Sequence, residues 1–250
     1  MTDALTMETR RSERGIAGLL IVQAVAYVLL ISLSVFVGLG IVPIEAVVVA
    51  ALAVVVVFLV CWPLRGTMVD RIISLVTAVL SVAMATTILG EITMYPVVSA
   101  QEAMRNITKA ILYPYGRWAA AFVILLVVLT IVGFARQMAR EHRTHLVRAL
   151  SHSLTSGVVS ASVAGWVFLP DLMVYVQSGS QKVNIALTIV IGVGLILGIA
   201  MAAASCLWWK EADPDPLMPA PWVGFALIPV LLFGLVSYGM SLTMLIIFGW

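Results

Sequence analysis

Charge is what this chain has least of. Its 14 Lys and Arg and 12 Asp and Glu make up 10% of 250 residues, where a soluble domain carries roughly 25%. So little charge cannot coat a water-facing surface of this size, and most of the exterior must meet lipid. The formal charge of +2 and the lack of any basic stripe interleaved with aromatics give no reason to expect nucleic acid as a partner. Cysteine is nearly absent too. Cys61 and Cys206 form no CxxC pair and no disulfide framework. No GxSxG elbow, Walker loop or DDxxD motif is present. The last apolar run contains no lysine, which excludes a Schiff-base chromophore there. No cofactor is expected.

What remains is apolar: 62% of the residues are hydrophobic. Stretches near 16–38, 46–62, 68–89, 118–136, 153–176, 183–208 and 222–248 approach or exceed the roughly 20 residues that a membrane crossing needs. The second is short and must stand upright or borrow from residues 42–45. The expected fold is an all-α, polytopic transmembrane helix bundle of about seven spans. Residues 1–15 read as a basic cytoplasmic tail and 16–250 as a single membrane domain. The leader carries both charge signs, and the apolar run behind it is too long for a signal-peptide core, so the first helix is expected to stay as an anchor.

Orientation follows from the cations. With the N-terminus inside, ten Lys and Arg fall on the cytoplasmic side, among them Arg10, Arg11, Arg14, Arg65, Arg136 and Arg140. Four (Arg105, Lys109, Arg117 and Lys182) fall outside. This bias places the N-terminus in the cytoplasm and, with an odd span count, the C-terminus outside. Trp62, Trp118, Trp208, Trp209, Trp222 and Trp250 sit at expected span ends, where an amphipathic ring prefers the headgroup level. Alanine- and valine-rich spans and the lack of a processing signal point to a bacterial plasma membrane.

Two connections carry patterns of their own. Residues 97–112 place Val97, Met104, Ile107 and Ile111 opposite Glu102, Arg105 and Lys109, an amphipathic surface helix bracketed by Tyr95–Pro96 and Tyr113–Pro114. Residues 135–152 form a basic cytoplasmic segment in which Arg136, Arg140 and Arg143 share a face suited to anionic lipid. His142, His145 and His152 lie in or beside it, without the i, i+4 spacing of a helical metal site.

Few polar residues interrupt the spans. Asp70 and Arg71 open the third, with Thr67 placed to cap it and Asp70 three residues on, the spacing of a capping-box variant. Gln23, Tyr27 and Ser34 share one side of the first span. Glu91 and Asp171 fall near the outer ends of the third and fifth, where they would form a vestibule with Arg117 if both turned inward. Together Gln23, Tyr27, Asp70, Arg71, Glu91 and Asp171 are the residues available for a polar path. Small residues recur every four positions as Ser153, Gly157, Ala161 and Gly165 in the fifth span, and as Gly194, Gly198, Ala202 and Cys206 in the sixth. Such stripes permit close backbone approach, so spans five and six are expected to be the closest-packed surfaces.

These features support three functional expectations. The first is a non-catalytic membrane component or accessory subunit that packs against a partner, either another membrane protein or a second copy of itself. The second is a small-molecule or ion transporter with a polar path along the first and third helices. The third is an intramembrane enzyme acting on lipid. A nearly ion-free interior weighs against catalysis.

Overall fold

The structure is a computed structural model, and it describes residues 2–62, 67–86, 107–139, 146–178, 180–211 and 220–248. Every element among them is helical: α1 (Thr2–Gly38), α2 (Glu45–Val60), α3 (Met68–Ala85), α4 (Ile107–Met138), α5 (Leu146–Ser162), a 3-10 helix (Val163–Asp171), the short α6 (Leu172–Val176), α7 (Gln181–Glu211) and α8 (Pro221–Phe248). Among the described residues six helical stretches are long and apolar enough to cross a membrane: Gly15–Gly38, Met68–Ala85, Tyr113–Met138, Leu150–Val176, Gln181–Lys210 and Pro221–Phe248. The chain is an integral membrane protein built as a helix bundle.

Boundaries move where local chemistry differs from hydropathy. α2 has sixteen residues, shorter than the expected 46–62. Gly40 turns the chain at φ 73°, a left-handed conformation that suits a residue without Cβ. Pro43 and Ile44 then offer carbonyls to Ala46 and Val47, adding a turn before α2. The fourth helix starts earlier than 118. It runs unbroken through Pro114, so Tyr113–Pro114 does not end a helix, and residues 107–112 form the first turns of α4. The rest of the expected surface helix, 97–106, lies outside the described residues, as does the 140–145 part of the basic segment.

The centre of the bundle is the fifth span. Of its apolar core window 78% is buried, against 11% for α7. The 3-10 helix packs against α8, α1, α3 and α2, while α4 covers α3 and α5 from outside. α7 stands at the edge and leans chiefly on α8. Pro170 bears on the 3-10 geometry, since in an α-helix its ring would clash with the carbonyl four residues back.

Among the described glycines, the closest approach to another helix's backbone joins the 3-10 helix to α8. A Cβ on Gly165 would land on the Gly234 carbonyl, and one on Gly234 would land on the Ser162 carbonyl. Gly165 belongs to the small-residue stripe of the fifth span. Each stripe meets a different neighbour: Gly157 faces Leu129 of α4, Gly194 faces Met240 of α8 and Gly198 faces the Phe233 ring. A small-residue stripe announces close approach without saying to what.

Candidate functional site

Three polar groupings interrupt the apolar interior. The first joins the start of α3 to the end of α4. Asp70 accepts from the Thr67 N–H at 2.7 Å and from the Thr67 hydroxyl at 2.9 Å, the local cap expected from spacing. Its other oxygen pairs with Arg136, whose guanidinium also donates to the Thr67 hydroxyl. Arg136 was expected at lipid headgroups. Its guanidinium pairs with a carboxylate that is 6% exposed. Arg71 leaves this pair and lies over the Trp62 indole, 5.6 Å from the ring centre. Arg140 and Arg143 lie outside the described residues.

The second grouping is at the opposite end, around four rings. Phe168 of the 3-10 helix lies 4.7 Å from Tyr115, 5.5 Å from Trp118 and 5.3 Å from Tyr238. The Tyr115 hydroxyl donates to Asp171, the Tyr238 hydroxyl donates to the Tyr115 carbonyl at 3.2 Å, and Ser241 donates to the Phe168 carbonyl at 2.7 Å. Trp118 donates to Ser81, which donates to the Ala161 carbonyl. Asp171 therefore meets a tyrosine. Arg117 is buried with its guanidinium carbon 5.8 Å from the Tyr113 ring centre, and Glu91 lies outside the described residues. The sequence reading missed Tyr115, Tyr238 and Ser241. Their aromatic and hydroxyl character reads equally as an interfacial belt.

The third grouping lies on α1. Gln23 is 2% exposed, and its Nε2 has no hydrogen-bond partner. The hydroxyl of Tyr27, one turn on, is also buried and without one. The Tyr27 ring packs edge-on to Phe233 at 5.3 Å and lies 6.2 Å from Trp166. Ser205 of α7 approaches the Gln23 carbonyl oxygen at 3.5 Å, while its proton already has the Ala202 carbonyl at 2.8 Å. Gln23 and Tyr27 border a cavity of about 420 Å³ with Leu20, Ala24, Leu195 and Ala202. A second cavity of about 230 Å³ follows it along α1, between Ser34, Met173, Gly194 and Met240. Both are walled almost wholly by apolar side chains.

No protein-family model matches the chain, and comparison with curated proteins and with solved structures finds no match either. What the site can do is therefore read from its geometry. Among the described path residues, Gln23 and Tyr27 share one cavity wall. Asp70, Arg71 and Asp171 line neither cavity, and the cavity beside Gln23 and Tyr27 is apolar. Among the described residues no three His, Cys, Asp or Glu side chains gather as a metal site would require. His142 and His145 fall outside those residues. The small residues Gly194, Gly198 and Ala202 have a second role, for they line the cavities and hollow the α7 wall.

Proposed function

We propose that this protein is a non-catalytic component of the plasma membrane that works by lateral association within the bilayer, through the side formed by α1 and α7. The observation that carries this reading is the apolar cavity pair between those helices, in a bundle whose buried carboxylate Asp70 is already spent on Arg136. Transport of a polar solute calls for convergent polar groups around one cavity, and the polar residues here are dispersed. α7, only 11% buried in its core window, offers the broadest uncovered surface. The chain is read as crossing a bacterial plasma membrane seven times, α2 included, with its N-terminus cytoplasmic and its C-terminus outside. Ten cations against four support that orientation.

Photocrosslinking in native membranes tests the association. A photoreactive side chain at Leu195 should yield a discrete adduct, and one at Val123 on α4 should give only diffuse lipid labelling. Equal, diffuse labelling at both positions would overturn the reading.

A further inference from the structure

Two donors on α1 are enclosed without an acceptor, the Gln23 amide nitrogen and the Tyr27 hydroxyl one turn on. In hydrocarbon an unmet donor is costly. With Gln23 only 2% exposed, the acceptors have to come from inside the bundle.

Two polar groups adjoin the amide. The Tyr27 hydroxyl lies on one side of it. Ser205 of α7 lies on the other, with its Oγ 3.5 Å from the Gln23 carbonyl oxygen. The single Ser205 proton is already given to the Ala202 carbonyl at 2.8 Å. A hydroxyl has one proton and two lone pairs, so toward Gln23 the serine can only accept. The amide nitrogen, and not the oxygen, belongs beside it. A half-turn of the amide puts the nitrogen there and brings the oxygen round to Tyr27, where it accepts the phenolic proton. Every donor then has an acceptor, and all run one way: Tyr27 to Gln23, Gln23 to Ser205, Ser205 to the Ala202 carbonyl. Reaching the usual N–H···O length of about 2.9 Å moves the groups roughly 0.6 Å closer.

The position of this contact gives it a mechanical role. α1 and α7 meet on its side of the cavities, where the Trp209 indole lies against Gly15. Further along they part around the two cavities, which Gly194, Gly198 and Ala202 hollow on the α7 side. Among the described residues no other side-chain hydrogen bond ties α7 to another helix. We propose that Gln23 is a clasp: its amide accepts from Tyr27 and donates to Ser205, pinning α7 to α1 where the helices meet, and its release lets α7 swing outward and widen the cleft. The clasp needs no ligand in the cleft, and it holds whether or not a partner docks on that side.

Pulsed dipolar spectroscopy on the full chain in phosphatidylcholine nanodiscs tests it. Spin labels go on cysteines at Val28 and Ile199, both exposed, with Cys61 and Cys206 replaced by alanine. The expected parent result is one narrow distance distribution. Gln23→Leu and Ser205→Ala should each broaden it toward longer distances. Each should also lower the unfolding midpoint in detergent by roughly 2–8 °C, the effect of one stranded buried donor. In the Gln23→Leu background Ser205→Ala should add nothing, because the bond is already gone. Thr188→Ala, which removes only a bond to the Asn184 carbonyl within α7, should leave the distance unchanged. Size-exclusion profiles confirm that each variant is folded, and Ser205→Ala carries the test if Gln23→Leu is not. A Gln23→Leu chain with an unchanged distance and an equal or higher midpoint would overturn the clasp, since deleting a donor that bonds nothing breaks no bond. Losses that add in the double variant, or a lower midpoint at an unchanged distance, would overturn it as well.

Discussion

Asp70 is held from two directions, by the backbone and side chain of its own cap and by a cation from α4. Asp70→Asn keeps much of the cap and loses the charge attraction, leaving Arg136 half-sheltered without its counter-ion. In a double-mutant cycle with Arg136→Gln, a coupling of about 1–2 kcal/mol is expected from unfolding in detergent, the range for groups in one network. A coupling near zero would mean the pair is solvated in place. Glycines give a second residue-scale contrast. Gly165→Ala drives a methyl into the Gly234 carbonyl, whereas Gly192→Ala meets nothing within 4 Å. The first should cost about 1–3 kcal/mol or more, and the second should be neutral or stabilise by up to about 1 kcal/mol through helix propensity. Thermal unfolding of the two variants side by side decides this. At this scale the local half was legible: Thr67 and Asp70 announce a cap by their spacing. Arg136 was not, because nothing in one sequence records which distant cation will lie against a given carboxylate.

At the scale of elements, the decisive contrast is between the fifth span and α7. Both are apolar, yet one is 78% buried in its core window and the other 11%. Spin labels on cysteines at Ile189 and Ile196, in a chain with Cys61 and Cys206 replaced by alanine, should be strongly relaxed by oxygen dissolved in the bilayer. Labels at Val163 and Val167 should be shielded. Similar accessibility at both pairs would contradict the arrangement. Hydropathy made the helices and most of their limits readable, because crossing a bilayer imposes one length and one composition. It could not rank them. A valine facing lipid and a valine facing protein satisfy the same apolar requirement, so the central and the peripheral span look alike in sequence. The i+4 stripes were readable as close contacts, but their partners, α8 and α4, were not.

For the whole molecule, parity turns on α2. Its sixteen residues span roughly 24 Å, less than the roughly 30 Å hydrocarbon core. The turn at Pro43–Ile44 lengthens it, and Val47, Ala51, Val54, Val55, Phe58 and Leu59 are buried against the bundle. If α2 crosses, the termini lie on opposite faces. A C-terminal alkaline phosphatase fusion should then be active and a C-terminal green fluorescent protein dark, with the reverse after truncation at residue 62. The swapped pattern, an active phosphatase at residue 62 and a fluorescent C-terminal fusion, would make α2 re-entrant and the chain a six-span protein.

The 3-10 geometry at the heart of the bundle sets a pitch. Three residues of a 3-10 helix advance about 6 Å and complete one turn, while four residues of an α-helix also advance about 6 Å and a little more than one turn. Gly165, Phe168 and Asp171 therefore stand in one column, and it meshes with α8 tooth for tooth: Gly165 at Gly234, then Phe168 at Tyr238, 5.3 Å between rings. The same column carries Asp171 to Tyr115, the ring that Phe168 already touches. Wound as an ordinary α-helix, the segment would turn Asp171 by about 240° relative to Gly165, and the two racks would slip after a single tooth. The match is between pitches, so a one-residue insertion after Gly165 should disengage everything beyond it while leaving the hydropathy of the span untouched.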